Sequence, residues 1–444
     1  MRNELFRAAA AAAVLQLTAA PALAQSAPLA QPATSSLPVR SAGLPTSSAV
    51  GAFYSTWRAR PMWFQGAAAK PAAAQLAAIL RRAQYDGLAS GPQLAAQVEA
   101  AVAQATGGNP ATVMAAEQML SSAWVLYVQS LKRPTPRMIY AYPVLGPQGT
   151  RADQILLTAT AAPSLERHLQ TVSGVNPIYA QLRDTAWSQA QAALGASPDP
   201  RLLANLERAR ALPAGGRYVL VDAATQRLWM YENGQAVDSM KVVVGTRDLP
   251  TPLIASIMHY VTLNPYWNVP HHLVRKTIAP NVQKQGLSYL KTRGYEVMDR
   301  WTDDAAVVPA DQIDWKAVQA GKIQIRVRQK PSAANSMGKM KFPFPSGEDI
   351  YLHDTPSKAL FAKDSRALSN GCVRLEDAPR LARWLLGRDP IAPSSDPEIR
   401  VQLPQGVPIY LTYLTAQPTA AGVTYLSDVY GWDGMPGTMI AAQK

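Results

Sequence analysis

Two residues have the types that begin nucleophilic catalysis, and they stand nineteen positions apart: Cys372, the single cysteine of the 444-residue chain, and His353, one of five histidines. A lone cysteine cannot close an intramolecular disulfide, so its surroundings decide its use. Cys372 lies in Ser369-Asn370-Gly371-Cys372-Val373-Arg374, among small and polar neighbours rather than the apolar shell of an inert buried thiol. A free thiol with a pKa of about 8.5 is mostly protonated at neutral pH, so attack on a carbonyl needs a base or a stabilised thiolate. Arg374 supplies positive charge, and a helix expected just downstream offers its N-terminal amides, while Glu376 and Asp377 push the other way. The base candidate is His353, in Tyr351-Leu352-His353-Asp354-Thr355-Pro356, at the end of an expected strand. A Cys–His pair is the smallest set that supports acyl transfer through a thioester.

The elements that must position this pair follow from hydrophobic periodicity. Residues 49–212 have a helical texture: Leu76, Ile79 and Leu80 recur at helical spacing before Gly87, and Met119, Ala123, Leu126 and Tyr127 repeat the pattern before Pro134. Phe53, Tyr54, Trp57, Trp63 and Phe64 read as helix-core packing rather than a glycan platform. After Pro213-Ala214-Gly215-Gly216 the period shortens. Runs at Arg217 to Asp222, Arg227 to Glu232 and Ala236 to Val244 read as strands, the last two joined by the hairpin signal Asn233-Gly234. Further strands are expected at Ile257 to Thr262, Ile323 to Val327, Asp349 to His353, Val407 to Tyr413 and Gly422 to Leu426, with one helix from about Asp377 to Leu386. Between Pro270 and Pro345 the chain turns basic and polar, as an excursion from the sheet would. The expected class is α+β.

Composition narrows the function. Forty-three Lys and Arg against thirty Asp and Glu give a net charge of +13, and 48% hydrophobic residues can fill cores, which excludes wholesale disorder. No HExxH, GxGxxG or GxxxxGK[ST] motif occurs, so neither a zinc hydrolase nor a nucleotide-binding site is indicated. Residues 1–24 carry Arg2 and Arg7, an apolar run and Ala22-Leu23-Ala24, the pattern of a cleaved secretory signal peptide. Residues 25–48, rich in Pro, Ser, Ala and Thr, read as a linker. The expected mature protein has no membrane span and works in a bacterial periplasm. Export removes nucleic acid as a partner for the basic charge and leaves anionic wall polymers or membrane surfaces.

The segment from His353 to Asp377, HDTPSKALFAKDSRALSNGCVRLED, resembles the active-site signature of YkuD-type L,D-transpeptidases, in which a histidine precedes an S-x-G-C-[I/V]-R element. Ser369, Gly371, Cys372, Val373 and Arg374 match it, and His353 falls where the family's base stands. Residues 217–245 look like the family's opening strands. Asn264 to Pro270 (NPYWNVP) and Ile409 to Ala416 (IYLTYLTA) resemble its larger, YcbB-like periplasmic branch. The resemblance implies a helical scaffold at 49–212, a catalytic domain at 213–430 with a capping insertion at 271–345, and a C-terminal tail at 431–444. Asn370 stands where many relatives have a second histidine, and the branch's peptidoglycan-binding repeat module has no counterpart here.

The resemblance also implies a reaction. Cys372 attacks an amide carbonyl of a peptidoglycan stem peptide, and His353 takes the thiol proton, held by the backbone carbonyl of Asp354. Amides around Gly371 and Cys372 form the oxyanion hole. An amine of a second stem then resolves the thioester into a cross-link, with 3,3 linkage preferred to 1,3. Arg374 serves a substrate carboxylate or the structure; Ser369, Asn370, Tyr351 and Trp267 line the cleft, with core packing an equal reading for Trp267. Stem peptides and glycan strands are the expected partners, carbapenems the expected inhibitors, and no metal or organic cofactor is needed. The alternatives are an L,D-carboxypeptidase or a wall-protein-detaching amidase with the same Cys–His site, and a non-catalytic wall-binding scaffold.

Overall fold

The computed structural model describes residues 47–56, 61–192, 197–302 and 304–434. The expected signal peptide, residues 25–46 of the expected linker, Trp57 and residues 435–444 lie outside the described residues. Residues 47 and 48, expected in the linker, open the first helix, Ser47–Thr56.

Eight α-helices occupy the stretch from Ser47 to Ala209. Pro71, Pro92 and Pro110 sit in first turns, where a missing N–H costs nothing, and the Asn109 side chain caps Pro110–Leu131 by accepting from the Ala111 amide. Leu76, Ile79, Leu80 and Leu120 form one buried face, and Phe53, Trp63 and Phe64 pack into the same core, the use expected of those aromatics. The bundle is pinned by buried Asp86, which accepts from the Tyr127 and Tyr179 hydroxyls at 2.9 and 2.7 Å and pairs with Arg183. Stripped of those partners, the carboxylate would be a buried lone charge.

The second half is mainly β, and the whole is α+β. Its main sheet runs in the order Met340–Phe342, Leu352–His353, Val373–Leu375, Gln235–Gly245, Arg227–Glu232, Tyr218–Asp222, Ile399–Thr412, Ile254–Leu263. Met340–Phe342 also pairs with Ile254–Leu263, so the path closes on itself and leaves few strand edges open. The Asn233-Gly234 turn has φ of 51° and 80°, the positive values that a two-residue hairpin requires. Helical and β regions share one core rather than meeting at a clean border. Ile139–Tyr140, inside the helical half, adds a parallel strand beside Ile254–Leu263, and helix residues such as Leu202 and Leu206 belong to the cluster that contains Val219 and Ile409.

The excursion differs from the expected one in extent and order. It begins at the strand Trp267–Val269, before Pro270, and the chain is back in the main sheet at Met340, before Pro345. In between it forms a lobe with its own four-stranded sheet and its own core, including Val274, Ile278, Val297, Trp315 and Val327. Asn335 ties the lobe's two crossings together by donating to the carbonyls of Pro265 and Lys330. The expected C-terminal tail is likewise part of the body over its described residues: Trp432 and Asp433 are buried, and Asp433 holds Arg208 and Thr415. Among the described residues no helix is long and apolar enough to cross a membrane.

Candidate active site

Strand register brings the two reactive residues together. Leu352–His353 and Val373–Leu375 are parallel neighbours, with Leu352 opposite Val373 and His353 opposite Arg374. Side chains alternate along a strand, so Cys372 shares the face of Arg374 and therefore of His353. The burial pattern agrees: Gly371, Val373 and Leu375 are buried, whereas Cys372 and Arg374 are half-exposed on the other face. That face opens into a cavity of about 790 Å³ between the main sheet and the inserted lobe.

His353 is only 5% exposed. Its Nδ1 lies 2.6 Å from the Asp354 carbonyl oxygen, the partner that the resemblance implied. Since that oxygen can only accept, Nδ1 carries the proton and Nε2 keeps its lone pair. Burial, reinforced by the Arg374 charge, lowers the imidazole pKa to about 4, so the ring is neutral at pH 7.

Burial also raises the Cys372 thiol; the Tyr351 amide and Arg374 favour the thiolate, and Asp349 opposes it. The thiol sits 3.7 Å from the Asp349 carbonyl. The expected help from a downstream helix is absent, because Val373–Leu375 stands between Cys372 and the helix Ala378–Leu386, whose first turn is capped by Asp377. The resting pair is thus a neutral thiol beside a neutral imidazole, and the proton moves when a carbonyl is bound to accept the nucleophile.

The loop that presents Cys372 is held from several sides. Gly371 has φ of +111°, and a Cβ there would sit 3.0 Å from Ile350 Cδ1. The Thr251 hydroxyl donates to the Gly371 carbonyl at 2.7 Å and accepts from the Gly245 amide, while the Tyr430 hydroxyl donates to the Gly245 carbonyl. Thr251 and Tyr430 carried no signal in the sequence, being remote from either motif. The Ser369 hydroxyl donates to the Cys372 carbonyl at 2.6 Å and accepts from the Gly371 amide at 3.2 Å. Ser369 therefore staples the turn, and the Gly371 amide, expected in the oxyanion hole, is already engaged. The Cys372 amide has no bond among the described residues and remains as an oxyanion donor. Gly371→Ala is expected to slow acylation of Cys372 at least about tenfold, since an L-residue is strained at this φ. Mass-spectrometric timing of adduct formation checks this, and a variant as fast as the parent would remove the backbone argument.

Asp354 does more than lend a carbonyl. Its carboxylate accepts from the Lys339 amide at 2.9 Å and from Lys358 Nζ at 2.8 Å, joining three segments under His353. Gly338 packs against it so closely that a Cβ would fall 2.3 Å from Asp354 Oδ2. Asp354→Asn, which keeps an acceptor for the Lys339 amide, is expected to be mild. Asp354→Ala should slow acylation about tenfold, and equal rates for the two variants would show that the carboxylate has no positioning role.

Cys372, His353, Arg374, Ser369, Asn370, Tyr351 and Trp267 all line the cavity, and Asp354 and Gly371 stand behind it. Arg374 makes no ion pair among the described residues, and its Nε is buried without a partner. An unpaired guanidinium beside the nucleophile suits an anionic ligand group. Tyr351, its hydroxyl pushed up to about 12 mainly by burial, lies near the Lys341 ammonium. Trp267 has both expected uses, lining the cavity and packing in the lobe near Tyr295 at 6.4 Å between ring centres. Among the described residues no group of three His, Cys, Asp or Glu side chains could hold a metal ion.

Comparison with known proteins bears on the same segments. Residues 216–393 match the family model of the L,D-transpeptidase catalytic domain, YkuD, and residues 48–185 match that of the Scaffold domain. A Haemophilus influenzae protein named as a candidate L,D-transpeptidase is 27% identical over 389 residues, spanning 86% of this chain and 77% of that protein. The solved structure of the Ldtfm-avibactam carbamoyl enzyme is 13% identical over 44% of this chain and 48% of that one, with a TM-score of 0.22, too little overlap to carry an argument.

Proposed function

The chain belongs with the YkuD L,D-transpeptidases, a catalytic domain of that family joined to a Scaffold domain, and from this we propose that it cross-links peptidoglycan stem peptides through a thioester on Cys372. The observation that carries the reading is the register of Leu352–His353 against Val373–Leu375. It puts a neutral imidazole and the single thiol on one face of a cavity large enough for peptide chains.

In the proposed reaction the donor stem lies along the main-sheet wall, with a carboxylate on Arg374. His353 Nε2 takes the Cys372 proton as sulfur attacks the amide carbonyl, and the Cys372 amide receives the developing oxyanion. The imidazolium then protonates the departing amine, and the thioester waits for an amine of a second stem. The 3,3 linkage is the proposed product: Phe344 is buried and the Pro345 carbonyl is fixed by Ser256, but these contacts do not reach the nucleophile. We assign the reaction to the periplasm on the signal-peptide pattern of residues 1–24 and expect carbapenems to acylate the same thiol. The proposed division is a helical scaffold at 49–212 and a catalytic domain from 213, with the lobe as its cap.

Muropeptides from cells with and without the protein test the product. Dimers joined between diaminopimelates support the reading, and dimers joined through first-position alanine would replace 3,3 by 1,3 linkage. Release of free terminal residues without dimers would favour the carboxypeptidase. The pH profile tests the base: with His353 neutral down to about pH 4, acylation should hold through pH 5 to 6 and fail only below that. An acid limb at 6 to 7, the ordinary histidine range, would show that the imidazole is not desolvated.

A further inference from the structure

The wall facing Cys372 carries two histidines that the reaction above does not use. His271 and His272, in the first helical turn of the lobe after Pro270, both line the cavity that holds Cys372 and His353. Each has an Nε2 shut away from solvent with no hydrogen-bond partner among the described residues. A buried ring nitrogen left unpaired is costly, and two side by side on the wall of a reaction cavity call for a ligand that supplies the missing bonds. His272 is held below the ordinary histidine range by burial, with Lys276 and His271 acting in the same sense. The first turn of a helix also disfavours an imidazolium.

The proton count of the second half-reaction supplies that ligand. An acceptor amine reaches the enzyme as an ammonium ion at neutral pH, and it must lose two protons to become an amide. The first leaves before attack, because a protonated nitrogen has no lone pair. The second leaves as the C–N bond forms and the C–S bond breaks, and it returns through His353 to the departing sulfur, restoring the thiol. His353 thus accounts for one proton only.

Resting on the reaction assigned above, we propose that His271 and His272 form the acceptor-amine subsite, where a neutral imidazole takes the first proton and later passes it to solvent. The substrate class at this wall is a primary ammonium on a second stem peptide. The lobe is then more than a cover: it brings its own base to a thioester made on the opposite wall.

The experiment uses the full chain, His271→Gln, His272→Gln and the double variant, with a tetrapeptide stem as donor. Cys372 adducts are followed by intact mass, and the thioester is offered either a diaminopimelate-containing stem peptide or hydroxylamine, which is already neutral at pH 7. Donor acylation is expected to stay within about twofold, while transfer to the stem-peptide ammonium falls at least about tenfold in the double variant and transfer to hydroxylamine is unchanged. Unchanged transfer to the stem peptide would overturn the proposal. So would an equal loss with both acceptors, which is the mark of a merely structural role, or a loss of acylation in all three variants. Failure of the parent enzyme to form any adduct on Cys372 would instead remove the underlying transpeptidase reading, so the two failures are distinguishable.

Discussion

Replacement of Cys372 by serine is expected to lower cross-link formation by about a thousandfold or more, with the fold intact. The chain has one cysteine, so no neighbouring thiol can substitute. Its site is built around sulfur: burial holds the thiol protonated, and a neutral His353 must draw the proton off as the carbonyl is attacked. A hydroxyl is a far weaker acid than a thiol, so the same imidazole would have to remove a much more tightly held proton. Loss of a nucleophile commonly costs several orders of magnitude in rate. Retention of more than about a tenth of the parent activity would end the assignment of Cys372, as would a carbapenem adduct mapped to another residue.

His353→Gln is expected to slow acylation about a hundredfold to ten-thousandfold, the range usual for loss of a positioned general base. Glutamine can still donate to the Asp354 carbonyl but offers no basic nitrogen to the thiol. The same variant carries a stability signature. Histidine's ordinary pKa of 6.5 falls to about 4 in the folded protein, so between those values the unfolded chain binds more protons. Parent stability must therefore decline as pH drops through that window, by up to about 3 kcal/mol for a group this buried. His353→Gln removes the slope, and its stability relative to the parent should improve on going from pH 7 to pH 4.5. Denaturant melts at the two pH values read this directly. A constant difference between variant and parent would mean that His353 is not desolvated, and full acylation activity in the variant would move the base elsewhere, with His271 and His272 the next candidates.

Much of the site could be read before any coordinates, because short-range signals carry it. Cys372 stood out by being single and by its small, polar neighbours, and His353 by closing an expected strand. The Asn233-Gly234 hairpin and the helix Ala378–Leu386 were legible for the same reason: turn chemistry and period act within a few residues. The α+β division followed from a change of period at Gly215-Gly216.

Other features depend on contacts between remote segments. Parallel pairing of His353 with Arg374 is a matter of register, which no local pattern specifies across nineteen residues. The same register inserts a strand between Cys372 and the helix expected to activate it, so the thiol is raised by burial instead of being lowered by a dipole. The carboxylate of Asp354 gains its role only when Lys339 and Lys358 arrive from either side. Thr251 and Tyr430 reach the Gly371 loop from 120 and 185 residues away in the bonds that they anchor. The basic, polar excursion hid a lobe with a separate core, because its apolar residues are spread over short elements and become a core only when folded together. Sequence by itself determined which residues are chemically able to react and which segments are helix or strand, since both are local properties of the chain. Tertiary structure alone decided their mutual placement, their desolvation and the opposing wall of histidines, since those depend on how distant segments exclude water from one another.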